Sequence, residues 1–284
     1  MLRKISYFNY ALAIFIILWG AWVRLSGSGA GCGKHWPLCN GVVFPLEPSV
    51  RTLIEYTHRF TSGVFGITVF WGWVLSIKSG GSYLKKSFLW SLIFTISEAL
   101  IGAVLVKKGL VEDNDSLARG VVIALHLANT MGLLYFLTQN IFFSSKHQIL
   151  KMKPLLKLEI IIITFFILTG ATGAIAALGN TLFPETDLLA GVAKDFSSSS
   201  HILINLRTFH PFFALILGIC VYLYTINFSN LNGRLLNGCL YIAIGWGVIN
   251  WVLLAPSWGA LIHLLIADVF FSLFTYMCLT RRIT

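Results

Sequence analysis

Long apolar stretches separated by short polar segments run through the whole chain. Eight of them approach the roughly 20 apolar residues that a helix needs to cross a bilayer, at residues 7–23, 56–77, 88–106, 120–143, 158–178, 208–228, 236–254 and 259–279. We therefore predict an all-α integral membrane protein with eight transmembrane helices. The first stretch has no small-x-small cleavage pattern leading into a soluble domain, so we expect it to remain as a span.

Composition gives the same class. The chain is 57% apolar and 11% charged, whereas an average soluble domain is about 25% charged. Its mean hydropathy is +0.80. The formal net charge of +10 resides in short loops, where it anchors the chain to membrane lipid. No nucleic-acid partner is expected.

Charge placement predicts the orientation. Basic residues gather at the N-terminus, at the even-numbered loops and at the C-terminus, with Lys85, Lys86 and Arg281 among them, while most acids lie on the opposite side. The positive-inside rule then places both termini in the cytoplasm. We expect the plasma (inner) membrane of a bacterium, or the equivalent mitochondrial inner membrane.

A histidine stands near the same end of every second predicted span. These are His58, His126, His210 and His263, which we expect within the first two turns of spans two, four, six and eight. A neutral imidazole in hydrocarbon is costly and marks a functional site. Two pairs at matching depth are what two haem irons need as axial ligands. The predicted orientation puts all four near the outer face of the membrane.

The histidine pattern divides the chain into two halves. Residues 1–150 and 151–284 each hold four predicted spans, and segment 19–29 shows weak similarity to segment 169–180. Because each half has an even number of spans, the copies would share one orientation and form parallel repeats. We predict two tandem four-helix bundles, each able to hold a cofactor between facing helices.

The residues before the histidines differ between the halves. Glu55 precedes His58 by three positions and so shares its helix face, whereas Arg207 takes that position before His210. Glu55 either lies beside whatever His58 binds or simply pairs with Arg59 at the interface. The asymmetry indicates a reactive site in the N-terminal half and a holding or electron-transfer site in the C-terminal half.

Cys32 and Cys39 are the only cysteines outside the predicted spans. They lie seven positions apart in the first outer loop, where an oxidising compartment permits a disulfide. A catalytic thiol is the alternative, since Lys34 lies close by.

Basic and acidic groups near the spans leave further alternatives open. The arginines at the outer edge either bind haem propionates or anchor the interface; they are Arg24, Arg59, Arg119 and Arg207. Glu98 and Asp268 are acids inside apolar runs, where function is the default interpretation. Glu98 equally suits a hydrogen bond to a neighbouring helix.

A set of motifs runs in order along nearly the whole chain, at segments 20–29, 36–39, 55–59, 98–103, 126–129, 181–184 and 207–211, together with Cys32 and His263. In these motifs the chain resembles haem A synthase, the membrane enzyme that converts haem O to haem A for terminal oxidases. The first-half motifs are the more specific.

The resemblance implies a role for each matched residue. His210 and His263 would ligate a haem b, His58 and His126 would frame the substrate haem O, and the carboxylate of Glu55 would be required for turnover. A ring methyl would be oxidised to a formyl group, with the electrons passed to an acceptor that the sequence does not identify. Haem O would come from a haem O synthase, and a homo-oligomer stays open. Relatives with a second cysteine pair carry it in the other outer loop, which has no cysteine here.

Two functional classes fit these residues. One is the oxidoreductase above. The other is a di-haem b-type membrane electron-transfer protein, cytochrome b561-like, which needs four histidines but has no use for Glu55. A transporter ranks third, because the spans show no signal of broken helices.

Overall fold

The computed structural model describes residues 1–145, 151–226 and 231–283. Within these ranges the fold is all-helical, with one isolated antiparallel bridge between Cys39 and Val42. The helices are α1 (Leu2–Leu25), α2 (Val50–Ser79), α3 (Ser82–Lys107), α4 (Leu117–Ser145), α5 (Lys157–Leu182), α6 (Leu188–Asp195), α7 (Ile202–Asn205), α8 (Phe209–Thr225), α9 (Leu231–Val252) and α10 (Ser257–Ile283). A 3₁₀ turn at Leu206–Thr208 joins α7 to α8.

Among the described residues, eight helical segments are long and apolar enough to cross a membrane, which confirms the predicted number. The sixth runs from Ile202 to Thr225 and includes α7, the 3₁₀ turn and α8. All eight begin before the predicted apolar stretch, and α2 begins at Val50 rather than at residue 56. The first turn of α2 is capped by Ser49, whose hydroxyl accepts a hydrogen bond from the Thr52 amide at 3.2 Å. The predicted end of the sixth span, residue 228, lies outside the described residues.

The chain divides into two compact units. The first contains Met1–Val122 and Gly132–Lys151, and the second contains Ile123–Met131 and Met152–Thr284. The middle of α4 thus belongs to the second unit, and each unit is described separately below. The domains 1–150 and 151–284 remain predictions.

The first unit packs α1, α2 and α4 around a small apolar core. Ala13 of α1, Phe65 and Val69 of α2, and Leu133 and Leu137 of α4 are buried together. Polar contacts join α3 to α4, since the Ser87 hydroxyl donates to the Phe136 carbonyl at 3.0 Å. Burial of such side chains stabilises the unit, and it orients the helix α2 that carries His58.

The second unit is centred on an aromatic cluster between α5 and α10. The ring of Phe166 lies 5.0, 5.2 and 5.6 Å from those of Phe270, Phe271 and Phe274. At one end of α5, the fully buried Glu159 accepts hydrogen bonds from Arg281 and from the Tyr224 hydroxyl. These contacts fix the ends of α5, α8 and α10 and so set the positions of the helices that carry His210 and His263.

Candidate functional site

The four predicted histidines lie on four separate spans, at similar distances from the helix starts. His58, His126, His210 and His263 stand eight, nine, eight and six residues after the first residue of their spans. His263 lies within the first two turns of its helix, as predicted. For the other three the prediction was slightly too shallow, because each helix begins earlier than its apolar stretch.

In the second unit His210 and His263 come together. Their ring centroids are 6.1 Å apart and their planes are nearly perpendicular, at 85°. The Nδ1 atom of His210 lies 3.0 Å from the Thr169 carbonyl. A histidine that donates from one ring nitrogen to a carbonyl has its other nitrogen free to bind a metal, so His210 is oriented as a ligand.

Glycines on neighbouring helices make room for these two rings. A Cβ atom added to Gly173 on α5 would lie 3.0 Å from Cε1 and Nδ1 of His210. One added to Gly247 on α9 would lie 3.1 Å from Cε1 of His263. Each ring therefore packs directly against backbone.

The residues of this pair fit a haem. Two imidazoles that bind one metal from opposite sides, with metal–nitrogen bonds of about 2 Å, place their ring centroids roughly 6 Å apart, as these are. The Nδ1 atom of His263 is buried with no hydrogen-bond partner among the described residues. No three histidine, cysteine or acidic side chains converge anywhere in the described ranges. A haem needs only two protein ligands, because the porphyrin supplies the others.

His58 has the same kind of neighbour in the first unit. A Cβ atom on Gly20 of α1 would lie 2.8 Å from Cε1 and 3.2 Å from Nε2 of the His58 ring. His126 lies on α4 in the stretch that belongs to the second unit. The pairing of His58 with His126 therefore stays a prediction.

Glu55 is buried at the centre of a hydrogen-bond network, with 3% of its surface exposed. One carboxylate oxygen accepts from the Cys32 amide at 2.7 Å, and the other accepts from Arg59 Nε at 3.0 Å. The pair with Arg59 that the spacing suggested is thus present. Because Glu55 is almost fully buried, this pair is unlike an exposed i,i+4 ion pair.

The loop between α1 and α2 is tied to the same network. Arg59 also donates to the carbonyls of Leu38 and Gly33, which flank the cysteines. The sulfur atoms of Cys32 and Cys39 are at bonding distance, 1.99 Å, in agreement with the predicted disulfide. Loop, disulfide, Arg59 and Glu55 form one connected structure, which we call the Glu55 network.

Two of the remaining predicted arginines lie near each other in the first unit. Arg24 lies within electrostatic reach of Arg119. Arg119 is 3% exposed, donates to the carbonyls of Glu112 and Asn114, and has a buried Nε with no partner among the described residues. Two neighbouring guanidinium groups, one with a buried donor to spare, are suited to bind an anion such as a carboxylate.

Arg207 of the second unit is held by protein groups. Its Nε donates to Asp195 at 2.8 Å and its Nη1 to the Asn180 side chain at 2.9 Å. Sequence reasoning missed Asp195 as its partner, because the two lie twelve positions apart, with α7 between them, and no periodicity connects them. It also missed the buried Glu159 and Arg281 pair, which lie 122 positions apart. The role of Arg207 toward a propionate stays a prediction.

Comparison with known proteins gives a match over almost the whole chain. Residues 3–275 match the COX15-CtaA family, described as cytochrome oxidase assembly proteins. A protoheme IX farnesyltransferase of Thermus thermophilus is 37% identical over 280 residues, which is 93% of this chain and 46% of that protein.

Shorter matches carry a different name. A heme A synthase of Bacillus licheniformis is 41% identical over 102 residues, which is 34% of this chain and 32% of that protein. One of Macrococcus caseolyticus is 39% identical over 127 residues, 44% of this chain and 40% of that protein. In each case the chain matches less than half the length of the relative.

Proposed function

Because the chain belongs to the COX15-CtaA family of cytochrome oxidase assembly proteins, we propose that it is a haem A synthase, an oxidoreductase that converts a methyl group of haem O to the formyl group of haem A. The observation that carries this proposal is the buried Glu55 in the helix that bears His58. A plain electron carrier has no use for a carboxylate there.

The Thermus name suggests farnesyl transfer as another activity. The match covers 46% of that protein. Farnesyl transfer can therefore be the activity of its other part, which has no counterpart in this chain. A polypeptide named for farnesylating protohaem thus contains a region similar to this chain. This supports a partnership in which a haem O synthase delivers the prenylated substrate.

The second unit would hold haem b between His210 and His263. Their 6.1 Å centroid separation and the two glycine contacts support this assignment. When bound, haem b supplies one-electron transfer, because two histidines leave the iron no open position for oxygen. Contacts within the protein fix the orientation of the two rings. The Thr169 carbonyl accepts a hydrogen bond from Nδ1 of His210 and so keeps the proton on that nitrogen. The electrons would leave to a further acceptor.

The N-terminal half, residues 1–150, would bind haem O, with His58 and His126 as its ligands. Arg24 and Arg119 are the arginines best suited to a propionate, since Arg119 has a buried Nε to spare. Arg59 and Arg207 are already ion-paired with Glu55 and Asp195, so a propionate would have to share them.

Glu55 has two roles open to it, as a base that activates water or as a fixed negative charge. Three donors, two from Arg59 and one from Cys32, already bind its carboxylate. Such a group is suited to stabilising positive charge that develops at the oxidised methyl carbon. Arg59 occupies Oε1, so action as a base would have to use Oε2, which accepts only the Cys32 amide. We therefore favour the electrostatic role.

The proposal also includes the location and orientation of the protein in the membrane. We propose that both termini lie in the cytoplasm, that the chain resides in a bacterial inner membrane, and that the sites lie near its outer face. The basic loops support this orientation. A tandem repeat of two four-helix bundles is supported by the shared contact between glycine and histidine in both units.

The variant Glu55→Gln tests the function, because it keeps the shape of the side chain and removes its charge. We expect haem A formation to fall by about a hundredfold or more, the scale of a positioned acid–base or charged group, with haem O or a partly oxidised product accumulating. The measurement is extraction and chromatography of the pigments from cells that supply haem O. The matched control is Glu47→Gln, an exposed carboxylate of the same loop.

Two results would contradict the proposal. One is haem A formation at the parent rate in Glu55→Gln. The other is a parent protein that forms no haem A and carries only haem B, which would favour the di-haem electron-transfer protein.

A further inference from the structure

The loop between α1 and α2 presents an apolar tip. Val42, Val43, Phe44 and Leu46 are exposed, and the exposed fractions of Phe44 and Leu46 are 67% and 91%. The tip lies before the start of α2 and outside the spans. Contiguous exposed apolar side chains of this kind mark a contact surface for a protein or a membrane.

The base of the tip is fixed by hydrogen bonds and by the disulfide. The backbones of Cys39 and Val42 exchange two hydrogen bonds of 3.0 Å. The disulfide closes the loop just before this turn, and Arg59 holds the Leu38 carbonyl. The apolar side chains therefore project from a turn that the disulfide and Arg59 hold in place.

The tip is continuous with the exposed face of α2. The ring of Phe44 meets that of Tyr56 edge-on at 6.5 Å, and Tyr56 stacks on Phe60 at 6.1 Å. Phe60 is 53% exposed on a helix long and apolar enough to span a bilayer. A side chain in that position faces lipid tails, so the aromatic row extends a lipid-facing surface upward into the loop.

Polar residues border the tip on both sides. Lys34 and His35 precede it, Glu47 and Arg51 follow it, and all four are exposed. Charged residues beside an apolar segment are typical of elements that lie in the membrane interface, with the charges at the headgroups and the apolar side chains in the acyl region.

We propose that the apolar tip, Val42 to Leu46, inserts into the lipid leaflet adjacent to the start of α2. The tip then anchors the loop that donates the Cys32 amide to Glu55. This proposal does not depend on the reaction assigned to the protein, since it concerns lipid contact alone.

Spin labelling of the full chain in phosphatidylcholine vesicles tests the insertion. Cys220, Cys239 and Cys278 are replaced by serine, the disulfide is kept, and nitroxide labels are attached to Phe44→Cys and, separately, to Leu46→Cys. Relaxation by oxygen, which concentrates in lipid, is compared with relaxation by a water-soluble nickel complex. Phe60→Cys gives the lipid-facing reference and Lys34→Cys the water-facing one.

We expect the ratio of oxygen to nickel accessibility at positions 44 and 46 to shift from the value at position 34 toward that at position 60. Values equal to that at position 34 would overturn the proposal. So would protection from both reagents, which indicates a protein contact. Mapping the disulfide in each labelled sample guards against mispairing, and Val43→Cys is an alternative site if either variant fails to fold.

Discussion

In both units a histidine ring packs against a glycine, but the residues that precede the two histidines carry opposite charges. In each, a glycine of one helix lies against the ring of a histidine, as Gly20 does for His58 and Gly173 for His210. One turn before the histidine, however, the first unit has a buried carboxylate and the second a partly buried guanidinium. Glu55 is bound by Arg59 and the Cys32 amide, while Arg207 is bound by Asp195 and Asn180.

Under the proposed function, this difference would separate the unit that holds a haem from the unit that oxidises one. Both units pack a histidine ring against a glycine, as an axial ligand would require. Oxidation of a ring methyl would develop positive charge beside the haem, and a carboxylate stabilises such charge. The second unit has Arg207 at the matching position, paired with Asp195, and a cation there would not stabilise that charge.

The largest expected effect comes from removing the histidines of the second unit. His210→Ala and His263→Ala should each abolish the low-spin b-type absorption of the purified protein, because a single remaining imidazole cannot form a bis-histidine complex. His58→Ala should leave that absorption in place. The measurement is the reduced-minus-oxidised spectrum together with the haem B content.

His201→Ala is the matched control within the second unit. The ring centroid of His201 lies 4.9 Å from that of Phe183, with the planes tilted by 34°, and His201 has no proposed part in binding haem. An unchanged b-type spectrum in both His210→Ala and His263→Ala would remove the basis for assigning the cofactor to this unit.

The sequence was a good guide to the number of spans and a poorer guide to their ends. Apolar runs identify membrane-crossing segments, because lipid requires them. Helix ends lie instead among interface residues, where capping by Ser49 starts α2 well before its apolar run. A hydropathy profile therefore does not mark where α2 begins.

The site was predictable where its contacts are local. Glu55 and Arg59 are four positions apart on a helix, so their pairing follows from geometry. The carbonyls of Gly33 and Leu38 that bind Arg59 carry no side-chain signal at all. The same holds for Asp195 and Arg207, which meet through the fold of a loop.

A second prediction compares the arginines of the two units. In Arg59→Gln the carboxylate of Glu55 keeps only the Cys32 amide as a donor. Breaking a buried ion pair in this way costs about 3–5 kcal/mol of the free energy of unfolding. We expect a lower midpoint of thermal unfolding and a loss of haem A formation. Arg207→Gln should lower the free energy of unfolding less, because the side chain of Asp195 is more exposed than that of Glu55, at 17% against 4%.

Pigment analysis and thermal unfolding of the purified variants check this comparison. Arg59→Lys serves as a companion variant, since it keeps the charge but loses the forked geometry and should recover only part of the activity. Haem A formation at the parent rate in Arg59→Gln would show that the pairing of Arg59 with Glu55 has no part in the reaction.

The smallest expected effect tests the packing that the units share. In Gly173→Ala the new Cβ lies 3.0 Å from the His210 ring, so the ring must move by a few tenths of an ångström and strain its hydrogen bond to the Thr169 carbonyl. Overpacking of this kind costs about 1–3 kcal/mol, which we expect to appear as weaker haem B retention and a shifted reduction potential rather than as loss of the pigment. Gly238→Ala on α9 is the control, because its Cβ meets nothing within 4 Å and it gains the same helix propensity. Gly20→Ala should leave the b-type spectrum unchanged and reduce haem A formation, since its ring contact is with His58. If Gly173→Ala and Gly238→Ala behave alike in potential and in haem retention, the glycine does not position the ligand, and the likeness between the two units is one of helix packing alone.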